Sequence, residues 1–106
     1  MPSIRDFLNR ATPTPAGNTF THSPASDSGN RQGVWISNLD ASLYLYVRFK
    51  GSTESAPAGV PGATDKDAAL APLETRFFDV GGDVGVYLFN SSGAATTSNA
   101  VVRETV

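Results

Sequence analysis

Acid–base and nucleophilic chemistry begins with histidine, cysteine or paired carboxylates. The 106-residue chain has one histidine and no cysteine. His22 lies in "THSPAS", among turn formers, and reads as a solvated loop residue rather than a catalytic base. No serine sits in a Gly-x-Ser-x-Gly elbow. "TDKDAA" gives Asp65 and Asp67 the Asp-x-Asp start of a calcium loop, but neither the glycine nor the glutamate such a loop requires follows in register. Asp79 and Asp83 flank "VGG" and suit turn capping. "GGDVG" has the glycines of a phosphate loop without the Lys-Ser/Thr that completes one. These residue types predict no catalytic set, no metal centre and no cofactor.

What remains is aromatic. Trp35, Tyr44, Tyr46, Phe77, Tyr87 and Phe89 all fall opposite the Val/Leu set of their strands. Three uses fit. They could form the other half of a packed interior. They could form a protein interface, for which Tyr44, Tyr46 and Arg48 on one strand face have the favoured composition. They could form a sugar-stacking platform, with Trp35 and Tyr87 as the stacking residues.

The elements that would position them follow from periodicity. From Arg31 onward apolar residues alternate with period two. "QGVWIS" and "SLYLYVRF", joined by "NLDA", read as a hairpin. "ETRFFDV" and "VGVYLF" flank the tight turn "GGD", and "TTSNAVVRETV" reads as the last strand, with Ala100, Val102 and Val106 inward. The core set is Leu43, Leu45, Val47 and Phe49 with Val34, Ile36, Val84, Val86 and Leu88. Between them "KGSTESAPAGVPGATDKDAALAP" runs about twenty residues without periodicity, a length that usually marks a functional or mobile loop. The expected fold is all-β: a small antiparallel β-sandwich or barrel-like domain over residues 31–106.

Residues 1–30 read as an N-terminal arm. Ser3 to Arg10 could form a short helix, with Ser3 as N-cap, Asp6 three residues on, and Ile4, Phe7 and Leu8 on one face. Eight residues cannot sustain an isolated helix, so that face would need a receiving surface. Pro13 and Pro15 then enforce an extended path, and "TFT", Thr19–Thr21, could add an edge strand.

Composition narrows the partners. The net charge is -2 and the eight Lys and Arg are scattered, which argues against nucleic acid. No apolar run approaches the ~18–20 residues of a membrane span, and "MPSIRDFLNR" lacks a signal-peptide core. Without cysteine, so small a domain relies on its core, on oligomerisation or on a partner surface.

The ordered set "VWISN", "LYVRF", a long Gly/Ala/Pro loop, "LAPLETRFFDV", "VGVYLF" and a Thr-rich last strand resembles the small β-sandwich accessory proteins of tailed-bacteriophage virions, of the capsid decoration and head-fibre-base type. Such chains carry an L-x-P-G-E lead-in to the third strand. Here it is Leu70-Ala71-Pro72-Leu73-Glu74, so Leu73 stands in place of the turn glycine. The resemblance implies a non-enzymatic structural protein on the capsid exterior. Its partners would be the major capsid protein and sister subunits, and Ile4, Phe7 and Leu8 would make the arm contacts. A homo-oligomer is expected; a trimer would fit, because capsids offer three-fold sites. The alternative is a carbohydrate- or receptor-binding module of a phage tail or fibre.

Overall fold

The computed structural model describes residues 7–23, 31–51, 53–62 and 64–105, with backbone alone at 7–9. Among them are eight strands: β1 (Phe7–Ala11), β2 (Thr21–His22), β3 (Gly33–Asn38), β4 (Leu45–Lys50), β5 (Ala68–Leu70), β6 (Thr75–Phe78), β7 (Gly85–Asn90) and β8 (Ala100–Thr105). They form two four-stranded sheets, ordered β1-β8-β3-β6 and β2-β7-β4-β5, and every strand pair is antiparallel. The fold is a small β-sandwich.

Alternation selects the interior. Val34, Ile36, Ala100 and Val102 of the first sheet pack on Leu45, Val47, Leu70, Val86 and Leu88 of the second. Phe49 and Phe78 close one end edge-to-face, with centroids 5.2 Å apart. Leu43 and Val84 lie just before their strands and are half-buried. Val106 is outside the described residues.

Three expectations are corrected. β3 and β4 are not a hairpin: β3 pairs with β6 and β8, and β4 with β5 and β7, so the chain crosses between sheets at residues 39–44. The "GGD" turn makes a second crossing, from β6 in one sheet to β7 in the other. Alternation has the same appearance whether two consecutive strands lie side by side or face to face. The third correction concerns the helix. Phe7 to Arg10 belongs to β1, whose backbone pairs with β8, while Ser3, Ile4 and Asp6 are outside the described residues. An extended segment beside an available sheet edge satisfies its N–H and C=O groups there, which a two-turn helix in water does less well. β1 and β2, from the stretch read as an arm, thus contribute one edge strand to each sheet.

Two buried asparagines fix crossings at strand ends, Asn38 the one from β3 to β4 and Asn90 a further one from β7 to β8. Asn38, the last residue of β3, directs Nδ2 at the carbonyls of Leu43 (2.9 Å), Leu70 (3.3 Å) and Ala71 (3.1 Å). Asn90, the last of β7, directs Nδ2 at the carbonyls of Pro15 and Thr96, both at 2.9 Å. Each Oδ1 accepts the backbone N–H two residues on, an Asx turn. A third buried device is ionic. Arg31 donates through Nη1 to Glu104 at 2.8 Å, both side chains being wholly buried, and its other donors reach the carbonyls of Val80, Gly81 and Val84. Glu104 occupies the core-facing position after Ala100 and Val102 in the β8 alternation, which put a charge inside and required a partner there.

Candidate interaction surface

The two outer sheet faces differ in how the chain covers them. On the second sheet, Tyr46 lies opposite Phe89 and Arg48 opposite Tyr87. Phe89 packs edge-to-face with Phe20 at 5.4 Å and at a similar angle with Tyr46 at 5.2 Å. His22 stacks on Tyr87 at 4.5 Å. The long β4–β5 loop folds back over the rest. The Lys66 ammonium sits 4.8 Å above the Tyr46 ring, and Glu54 and Asp67 flank Arg48 at 3.5 and 3.7 Å. Tyr87 and Phe89 are therefore buried despite facing outward. Of the expected interface face, Tyr46 and Arg48 meet this chain's own loop, whereas Tyr44 is exposed. A cleft of about 120 Å³ remains above Tyr46 and Phe89, rimmed by Gly17, Pro61, Gly62 and Ser91. It is well below the few hundred Å³ usual for a small-molecule site.

The first sheet leaves its aromatics in solvent. Trp35 and Phe77 are directly opposite in the β3–β6 register, with centroids 5.2 Å apart, and remain 38% and 42% exposed. Phe77 covers Gly33: a Cβ there would fall 2.2 Å from its ring, so glycine is what allows the ring to lie against the β3 backbone. The row continues across the sheet, because Trp35 is opposite Arg103 and Arg103 opposite Arg10. Read from β1 to β6, one outward row is Arg10, Arg103, Trp35, Phe77. The next outward row holds Val101, Ser37 and Thr75, the last two hydrogen-bonded through their hydroxyls at 2.9 Å. Asp79, two residues beyond Phe77 with the same alternation, is exposed at the end of this face.

At the end of the same strand pair, Leu39 and Leu73 are 51% and 68% exposed on adjacent loops, Leu73 N–H donating to the Asp40 carbonyl at 3.2 Å. Leu73 has φ 64°, the left-handed region. It is the third residue of the turn Ala71–Glu74, closed by Glu74 N–H to Ala71 C=O at 3.1 Å, with Pro72 at the second position. That position favours glycine, and leucine there costs roughly 1–2 kcal/mol. The turn is tied by Glu74, whose carboxylate accepts from Ala71 N–H at 2.8 Å and from Arg76 at 2.7 Å. The Ala71 bond first, and Arg76 second, hold the Glu74 carboxyl below the usual glutamate value. Since the folded pKa is the lower one, this contribution is present above the ordinary glutamate range and is lost as pH falls through it. Thermal unfolding should therefore drop on acidification below about pH 4.5, and Glu74→Gln should flatten that part of the profile.

The remaining sequence candidates have local partners. Asp65 accepts from Gly62 N–H and Asp67 from Phe49 N–H, at 2.6 and 2.7 Å, so the two carboxylates close separate backbone features. Phe7 and Leu8 are placed in β1 by their backbone; Ile4 is outside the described residues. The Arg10–Arg103 half of the exposed row was not foreseen. Alternation in the last strand puts Arg103 outward, whereas Arg10 falls in the expected helix, and their adjacency depends on β1 pairing with β8, Arg10 and Arg103 being more than ninety residues apart in sequence. Comparison with family models, curated proteins and solved structures finds no match to this chain.

Proposed function

We propose that the protein is a non-enzymatic virion structural protein of the capsid-decoration type. It would sit on the capsid exterior and make contacts through its N-terminal residues and the outer face of the first sheet. The observation that supports this reading best is the Trp35–Phe77 pair. Two large aromatic side chains beside two arginines, left in solvent on one sheet while the other sheet is covered, have the composition of interface anchors. The resemblance of the strand order to phage accessory proteins supplies the virion context. A carbohydrate- or receptor-binding module is the second reading, and the exposure of Trp35 is what favours it.

One experiment separates the two. Removal of residues 1–6, ahead of β1, should leave a folded sandwich that no longer pellets with capsids lacking the protein, while the full chain pellets. Undiminished pelleting by both that truncation and a Trp35→Ala variant would overturn the capsid reading. Quenching of Trp35 fluorescence by defined glycans, without capsid binding, would establish the second.

A further inference from the structure

We infer that Asn90 is an acceptor for an N-linked oligosaccharide in the unfolded chain alone, and that a glycan there and the folded sandwich exclude each other. Asn90-Ser91-Ser92 is the only Asn-x-Ser/Thr triplet in the sequence. Such a triplet ordinarily marks a surface loop, where a bulky sugar does no harm. Here its asparagine is 1% exposed. Transfer of the oligosaccharide makes a bond from Nδ2 to the first sugar carbon and breaks that carbon's bond to the pyrophosphate of a lipid-linked donor. Nδ2 gives up one proton, and the lipid pyrophosphate leaves. In the fold both Nδ2 protons are in use. They serve the Pro15 and Thr96 carbonyls, each at 2.9 Å, with the Ser98 hydroxyl at 3.3 Å. A sugar carbon bonded to Nδ2 at about 1.45 Å along either N–H direction would lie roughly 1.5 Å from a carbonyl oxygen. Even a close carbon–oxygen contact needs about twice that. One buried carbonyl would lose its donor as well.

The surroundings cannot make way without undoing the sandwich, because three segments meet at Asn90. Its N–H donates to the Ala16 carbonyl at 3.0 Å, Ser98 N–H donates to the Pro15 carbonyl at 2.9 Å, and Gly17 N–H donates to the Ala94 carbonyl at 2.8 Å. Ala16 also forms an antiparallel bridge with Thr97. Gly17 passes so close that a Cβ there would fall 2.7 Å from Asn90 Oδ1. A glycan would push residues 15–17 off the connection 91–98. With them would go the link between β1 and β2, the edge strands of the two sheets. The acceptor is therefore available only before that segment docks. The chain reaches its fold intact where oligosaccharide transfer is absent or slower than folding. A cytoplasm meets that condition; a eukaryotic secretory lumen sets transfer and folding in competition.

The full chain, carried behind a cleavable leader, would be translated in the presence of microsomes from the endoplasmic reticulum. Gel mobility separates molecules bearing one glycan from unmodified ones. Ser92→Ala identifies the shifted species, because it abolishes the triplet and keeps the Ser92 N–H that Asn90 Oδ1 accepts from. Glu104→Gln would be translated in parallel; its sandwich opens more often and keeps the acceptor accessible after synthesis. After the microsomes are opened with detergent, limited proteolysis should digest the glycosylated molecules about tenfold faster or more than the unmodified molecules of the same sample, because cleavage follows the population of the open chain. Equal digestion rates for the two species would overturn the inference. So would the absence of any glycosylated species from both the parent and Glu104→Gln.

Discussion

Replacing Glu104 by glutamine should cost about 3–5 kcal/mol of folding stability, the range for breaking a buried ion pair by removing one charge. The reason is what stays behind. Arg31 keeps its charge, fully buried, and loses the carboxylate 2.8 Å from Nη1. Arg31→Met should be at least as damaging. It removes the Arg31 charge from beside the Glu104 carboxylate and also removes the donors that serve the Val80, Gly81 and Val84 carbonyls. Those carbonyls belong to the crossing from β6 to β7, so Arg31 ties that crossing to β8. The double variant Arg31→Met/Glu104→Leu should be less destabilised than the sum of the two singles, because both buried charges of the pair leave together. Urea unfolding monitored by Trp35 fluorescence gives all three values. Single-variant losses below about 1 kcal/mol, the scale of an exposed pair, would show that water reaches this site.

Asn90→Asp is the second large effect, expected at about 3 kcal/mol or more despite being nearly isosteric. The amide offers two protons to the Pro15 and Thr96 carbonyls, each at 2.9 Å. A carboxylate offers none, and it faces those carbonyl lone pairs from a position 1% exposed. Its acceptor duty to Ser92 N–H survives, and the Ser98 hydroxyl, 3.3 Å from Nδ2, can turn to donate to it, but neither relieves the two carbonyls. Because the folded environment repels the ionised form, the introduced carboxyl should have a raised folded pKa. The variant should lose stability as pH rises through the carboxylate range and recover part of it on acidification. Asn90→Ala should be destabilised without that pH dependence, so comparing the two profiles isolates the charge. Pro15 is in the segment between β1 and β2, so both variants should also loosen the N-terminal strands from the body of the sandwich. Amide exchange of residues 7–23 would register this.

The alternation of residues determined a good deal by itself. It assigned Val34, Ile36, Leu45, Val47, Val86, Leu88, Ala100 and Val102 to the interior, and all are buried there. It put Trp35 and Phe77 on the outer side, and turn chemistry located the strand ends. A strand's two faces follow from a local steric rule, so local sequence is enough to read them. Pairing is not local. Whether "VWISN" lies beside "LYVRF" or across the core from it depends on which arrangement buries both apolar faces and satisfies the crossing carbonyls. The side chains of Asn38 and Asn90 supply that satisfaction only in three dimensions. For the same reason alternation could not tell which outward aromatics are covered. Phe20, His22 and Lys66 reach Phe89, Tyr87 and Tyr46 from distant parts of the chain, and nothing described reaches Trp35 and Phe77 in that way. Nor could it show that Arg31 answers Glu104, or that Arg10 and Arg103 stand in one row with two rings. Sequence decided which side each residue faces; tertiary structure decided what it faces, because contacts between remote segments form only when the sandwich closes.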